Sequence, residues 1–347
     1  MTAPKSQPTP VIRTEGSRRK KVLTWHVHGN YLYYLTHAHQ DFYVPSKPGR
    51  PEGYGGRAGT LPWGDNLIDI PAEEVKDMQF DAILFQSHKN YLEDQHEILS
   101  DAQHNIPRVY LEHDPPRQNA TDTKHPVDDP NMLIVHVTHY NDLMWDSNRT
   151  PTTVVEHGVI VPDNVRYTGE KDRGITVVNN LARRGRRLGT DVFERARAQV
   201  PIDLVGMNSK DLDGIGEIPY DRLLEFESHY RFFFNPIRYT SLGLAVCEAM
   251  LLGMPIVGLA TTEMVTAVTN EVNGFVDTRV DVLIDRMKDL IQDHALANQL
   301  GQGARKIAAE RFNIRRFADD WTRAFQLVTD NQTAPAAISG RQQLENL

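Results

Sequence analysis

The chain has 347 residues, room for two α/β domains of ordinary size, and 40% of them are hydrophobic, enough to fill sizeable cores. Its 38 basic and 46 acidic residues leave a net charge of −8, which argues against a nucleic-acid partner, because such partners call for a basic face. A single cysteine, Cys247, excludes an intrachain disulfide and a multi-cysteine zinc site, and no apolar run approaches the roughly 20 residues that span a bilayer.

In chain order, residues 1–20 are rich in Pro, Ser, Thr and Arg and are expected to form a disordered basic tail. Arg18, Arg19, Lys20 and Lys21 could give weak peripheral contact with an anionic membrane surface, against the plainer reading of a solvated tail. No apolar core of a signal peptide stands near the N-terminus, so the expected location is the cytoplasm. Strand-like runs at 22–28, 81–86, 108–112, 132–137 and 153–156 then alternate with helical stretches such as 93–102. A polar, turn-rich segment at 162–174 follows, and the alternation resumes with runs at 175–179, 202–206, 231–235 and 255–259.

Apolar strands separated by helices predict parallel sheets covered on both faces. The expected α/β architecture is two doubly wound domains, 21–163 and 164–330, with ligands in the cleft at the carboxyl ends of the strands. Residues 281–328 read as helices, with Leu283, Met287, Leu290 and Ile291 at helical spacing. Phe312, Phe317, Trp321 and Phe325 form an aromatic stripe assigned to packing, and the last helix is expected to be able to pack back on the first domain. Residues 331–347 read as a second flexible tail.

The sharpest signal lies between Arg238 and Pro255. A helix is predicted to begin near Ser241, with Thr240 or Ser241 capping it by accepting a free backbone N–H. From Leu242 to Leu252 every residue except Glu248 is apolar or glycine, Gly253 ends the helix, and Pro255 prevents its continuation. A helix apolar all round is buried, so Glu248 is a lone carboxylate on a buried element and needs a donor from the protein or from a ligand. Both readings stay open on the residues alone.

The segment resembles the donor-site signature of the retaining family 4, group 1 type glycosyltransferases. Glu248, Gly243-Leu244, Ala249-Met250, Gly253 and Pro255 match it, Asn273-Gly274-Phe275-Val276 resembles the Asn-Gly-Leu-Leu that follows, and Glu156-His157-Gly158-Val159 resembles the Pro-Asn-Gly-Val closing the first domain. The resemblance implies the GT-B fold, two facing Rossmann-like domains with a cleft between them. It implies transfer of a sugar, with retention, from a UDP- or GDP-linked donor to an acceptor such as a glycan, a lipid-linked glycan or a small molecule. Glu248 would hold the nucleotide ribose, and Thr240, Ser241, Leu242, Gly243 and Leu244 would form the donor loop. The chain departs from the pattern at Thr240, where the family has a glutamate that contacts the donor sugar, and at Thr262-Glu263, where it has Gly-Gly.

The diphosphate needs cations or a helix N-terminus. The family places basic residues in the loop after the first strand of the second domain, which here carries Arg183, Arg184, Arg186 and Arg187. Arg183, Arg184 and Arg187 are taken as donor-binding, with no metal and no other cofactor expected, although the alignment does not choose which two face the phosphates. His28-Gly29-Asn30 stands where the family has a glycine-rich turn. His113 resembles the family's histidine near the transferred sugar, and His88 is the second candidate for that place. Three other classes compete: a nucleotide-sugar-binding protein without transfer activity, a nucleotide-sugar epimerase of the same fold, and a metal-dependent barrel hydrolase suggested by His26-Val27-His28 and His136-x-x-His139.

Overall fold

A computed structural model of the chain describes residues 18–330. Residues 1–17 of the tail expected at 1–20, and the tail expected at 331–347, lie outside those residues. Seven strands form a first parallel sheet: β1 (Lys20–Thr24), β2 (Gln40–Ser46), β3 (Leu67–Pro71), β4 (Ala82–Phe85), β5 (Arg108–Glu112), β6 (Met132–His136) and β7 (Thr152–Val154), in the order β3-β2-β1-β4-β5-β6-β7. Five form a second: β8 (Lys171–Val177), β9 (Ile202–Val205), β10 (Tyr230–Asn235), β11 (Ile256–Leu259) and β12 (Gly274–Asp277), in the order β12-β11-β10-β8-β9. Central strands such as Ala-Ile-Leu-Phe in β4 and Tyr-Arg-Phe-Phe-Phe-Asn in β10 are buried along their whole length, as strands covered by helices on both faces must be. In each sheet the order reverses beside the first strand, between β1 and β4 and between β8 and β10. Such reversals open a crevice at the carboxyl ends of the strands.

The strands differ in detail from the pattern in the sequence. β2, β3 and β12 are additional; β2 and β3 carry half-exposed polar positions, and β12 is only Gly-Phe-Val-Asp. β1 ends at Thr24 rather than 28, because His26 leaves the sheet to bridge with Gly53 and bond to the Gly56 carbonyl. β8 starts at Lys171, inside the segment read as a linker, and the helix expected at 93–102 is the single turn Gln95–Ile98 after a wide turn at Asn90–Asp94.

The basic run assigned to the tail is instead tied to the chain: Arg18 pairs with Asp81, Arg19 with Asp41, and Lys20 donates to Thr329 and Asp330. No helix among the described residues is long and apolar enough to cross a membrane.

The described residues end in three helices, Val280–Gln292, His294–Arg311 and Ile314–Asp330. The last returns to the first domain. Phe317 stacks edge-on to Tyr31, Trp321 donates to the Tyr31 hydroxyl and Phe325 meets Phe42, so the aromatic stripe is packing between the two halves. One apolar cluster runs from Val22 and Leu84 of the first sheet through Trp321 to Val246 and Ile256 of the second domain. Polar bonds reinforce it. Arg311 pairs with both Glu156 and Glu263, and Glu263 also accepts from the Tyr140 backbone N–H.

Candidate active site

β10 ends at Asn235, and a loop leads into the helix Leu244–Leu252. The helix starts later than the sequence implies: Gly243 holds the capping position in an extended conformation, and no side chain caps it. Thr240 and Ser241 are therefore not caps. Thr240 Oγ1 donates to Asp114 Oδ1 at 3.1 Å, Ser241 Oγ donates to the His113 carbonyl, and Tyr239 Oη donates to the Pro116 carbonyl at 3.0 Å. The loop is a strap to the opposite domain. A Cβ built on Gly243 would meet nothing within 4 Å, and Leu244 and Ala245, at the uncapped start of the helix, line the space between the domains. Gly253 closes the helix in the left-handed conformation at φ 100°.

Glu248 is 2% exposed. Its Oε1 accepts from Tyr34 Oη at 2.5 Å, and Tyr34 Oη lies 2.5 Å from Tyr220 Oη. Tyr34 belongs to the helix Gly29–Leu35 of the first domain, so this carboxyl is held across the cleft. Burial pushes it up to about 7, against the opposing effect of the two tyrosine hydroxyls.

The arginine loop sorts itself by pairing. It forms the helix Leu181–Leu188, entered through a left-handed Asn180 and kinked at Gly185. Arg183 bonds Asp211 at 3.1 Å and Arg186 bonds Asp191 at 2.6 Å. The guanidinium groups of Arg184 and Arg187 have no hydrogen-bond or ion-pair partner among the described residues. Burial, and then the neighbouring Arg187, lower the pKa of Arg184. Of the arginines read as donor-binding, Arg184 lines the interdomain cavity; Arg183 is turned to Asp211 and, like Arg187, is not in its wall.

In the first domain, the His113 ring stands edge-on to His28 at 4.3 Å and to Tyr31 at 4.8 Å. Burial lowers both histidines, which keeps them neutral, and His113 Nε2 has no hydrogen-bond partner. His88 is apart from them: its side chain is 54% exposed and its Nε2 lies 4.0 Å from Glu112 Oε2. Glu112, the last residue of β5, accepts from the Asp114 N–H at 3.0 Å and lies 3.2 Å from His125 Nε2. Burial pushes it up to about 7, against the Asp114 N–H.

Two cavities result. One of about 1070 Å³ lies between the domains and is lined by His28, Gly29 and Asn30 from one side and by Arg184, the 240–245 loop and Glu248 from the other. One of about 590 Å³ lies in the first domain, over His88, Glu112 and Trp145. His28, His113, Asp114 and Arg117 line both. The sequence reading thus finds its donor-loop residues, Glu248 and His113 around one space, with His88 in the adjoining one.

Residues 207–307 match the family model for group 1 glycosyl transferases. The structure is similar to sucrose-phosphate synthase from Thermosynechococcus elongatus, with a TM-score of 0.64 at 14% identity over 90% of this chain and 100% of that one. It is similar to HepE from Anabaena, solved with UDP and glucose, with a TM-score of 0.63 at 13% identity over 89% and 100%. A glycosyltransferase from Rickettsia africae gives 0.62 at 11% identity over 91% and 100%. The fold is GT-B. No curated protein matches the sequence.

Within this GT-B cleft several polar residues escaped the sequence reading. Tyr34 had no signal, since its partner Glu248 lies 214 residues away. His157, whose Nε2 lies 2.8 Å from the Leu242 carbonyl, stands out in the sequence only through the family resemblance. Glu112 did carry one: it closes the apolar strand Val-Tyr-Leu, the same lone-carboxylate argument that singled out Glu248. The barrel hydrolase finds no support, because both sheets are open and no group of three or more His, Cys, Asp or Glu among the described residues could hold a metal ion.

Proposed function

We propose that the chain transfers a sugar from a UDP- or GDP-linked donor to a hydroxyl of an acceptor, with retention, without a metal, and in the cytoplasm. The observation that carries this reading is the interdomain cavity, which gathers an unpaired cation (Arg184), an uncapped helix N-terminus (Leu244) and a buried carboxyl (Glu248) along one wall. These are complementary to a diphosphate and to ribose hydroxyls. The group 1 match over residues 207–307 covers that helix, and solved neighbours that hold UDP support the choice of nucleotide.

In this reading Glu248 accepts the ribose hydroxyls, and Arg184 with the N–H groups of Leu244 and Ala245 neutralises the diphosphate as the bond from its oxygen to the sugar's anomeric carbon breaks. The acceptor oxygen, entering from the first-domain cavity, bonds to that carbon and its proton passes to the departing phosphate. Neutral His113 and His28 meet the sugar without adding charge. The straps Thr240–Asp114 and Ser241–His113 close the cleft and exclude water. Retention rests on the resemblance in sequence.

Calorimetry with UDP, GDP, ADP and their sugar conjugates, followed by donor turnover with and without acceptors, tests this. Above pH 7, where the Glu248 carboxyl is ionised, Glu248→Gln should weaken nucleotide binding by roughly 1–3 kcal/mol, as an anionic acceptor becomes a neutral one. Unchanged affinity would make Glu248 a structural residue. Binding without turnover of any donor would favour the non-catalytic alternative.

A further inference from the structure

We propose that Asp114 of the first domain reads the hydroxyls of the donor sugar across the cleft, supplying the carboxylate that the second-domain loop lacks; this rests on the donor-cleft reading above. The loop from Arg238 to Leu244 contains no Asp or Glu. Sugar hydroxyls donate hydrogen bonds, and a carboxylate is the side chain that accepts several at once. His28, His113, Asp114 and Arg117 line both cavities, so they stand where a sugar would pass from a donor in one to an acceptor in the other, and Asp114 is the one acceptor-only anion among them.

Asp114 is built into place. Its N–H donates to Glu112 Oε1 at 3.0 Å and its carbonyl accepts from Trp145 Nε1 at 2.8 Å, which fixes the backbone on both sides. Oδ1 accepts from Thr240, Oδ2 accepts from Arg117, and the side chain keeps 21% of its surface open. The pairing also accounts for threonine at 240. A glutamate there would set a second anion against Asp114, whereas threonine donates a bond to it. In this arrangement the carboxylate stands on the first-domain wall of the cleft. Sugar recognition is thereby joined to closure, because the reading group and the nucleotide site lie on different domains.

The test is calorimetry on the full chain with UDP, UDP-glucose, GDP and GDP-mannose. Asp114→Asn keeps the shape and an acceptor for Thr240 but removes the anion. It should lower the affinity for the bound sugar nucleotide, relative to its bare nucleotide, by about tenfold to a hundredfold, with the bare nucleotide unchanged. Asp114→Ala combined with Thr240→Glu returns a carboxylate to the other wall and should recover part of the ratio lost in Asp114→Ala alone. An unchanged ratio in Asp114→Asn, or equal losses for bare and sugar-bearing nucleotides, overturns the proposal and leaves the donor cleft standing. So does a double variant no better than Asp114→Ala. A wild-type chain that binds none of the four probes overturns both readings.

Discussion

Glu248 and Glu112 are two buried carboxyls, one in each domain, and burial pushes both to about 7. They differ in what holds them. Glu112 is held by its own domain, through the Asp114 N–H and His125. Glu248 is held by Tyr34 of the opposite domain, with Tyr220 of its own domain behind it. The first-domain carboxyl therefore belongs to a self-contained pocket, while the second-domain carboxyl takes its hydrogen bond from across the cleft. In this fold one wall is ready-made within its own domain and the other is held by its neighbour.

The largest effect expected from this comparison is on stability against pH. Both carboxyls are raised above their ordinary 4.5, so their contribution to the fold is fully present below pH 4.5 and is lost as pH rises through about 7. For each group the loss is on the order of 3 kcal/mol across that window. Urea midpoints measured from pH 4.5 to 8 should fall in the wild type, and more gently in Glu112→Gln and Glu248→Gln. Glu227, buried with both oxygens unpartnered and raised by burial and then by Glu248, should leave a residual slope in either variant. Wild-type curves that stay flat across the window would mean that neither carboxyl is as dry as its burial implies.

The next effect separates the arginines. Arg184→Met should cost roughly 1.5–3 kcal/mol of sugar-nucleotide affinity, the range for hydrogen bonds to a charged group. Arg183→Met removes only an exposed pair with Asp211 and should leave affinity within about twofold. Equal losses in the two variants would show that the loop acts as a diffuse basic surface.

The ready-made wall predicts a different kind of defect. His113→Ala should lower turnover about tenfold, near the upper range for one neutral hydrogen bond, while the affinity for UDP or GDP stays the same. His88→Ala should act on the acceptor, raising its KM, because His88 lines only the first-domain cavity. Collapse of nucleotide binding in His113→Ala, with normal turnover per bound donor, would place His113 on the wrong substrate.

How much of this was legible follows from locality. The stretch from Leu242 to Pro255 carries its evidence in consecutive residues, so Glu248, the buried helix and its glycine stop could be read directly. The fold class followed from strands such as β5, β6, β10 and β11, whose apolar runs are unbroken. β2 and β3 give no clear signal because Asp41 and Asp69, at half-exposed positions, break their short apolar runs. The cross-cleft bonds had no sequence signal. Thr240 and Ser241 stand just before a helix and so look like caps; only the fold brings Asp114 and His113 to them. Arg183 and Arg184 are indistinguishable as neighbours in a basic loop, and Asp211, which separates them, arrives from the segment after β9.

The smallest effect concerns Thr240, where the two walls touch by a single neutral donor. Its hydroxyl bonds Asp114 Oδ1 at 3.1 Å and has no role at the helix start, which Gly243 occupies. Thr240→Val keeps the β-branched shape and deletes the bond. The loss should be about 1 kcal/mol, typical of one neutral hydrogen bond and toward the low end for a bond to an anion. Where that loss falls is what decides its meaning. If the bond orients Asp114 toward the sugar, it appears in the affinity or turnover of sugar nucleotides, while bare nucleotide binds as before. If the bond is merely a latch, Thr240→Val loosens the closed cleft as a whole, and bare nucleotide, sugar nucleotide and the Tyr34 bond to Glu248 weaken together. Loss of this interdomain bond should also lower the melting temperature slightly, by the equivalent of about 1 kcal/mol, in either case. A fall in melting temperature with unaltered binding and turnover of every sugar nucleotide would make the bond structural alone and remove Thr240 from the sugar site.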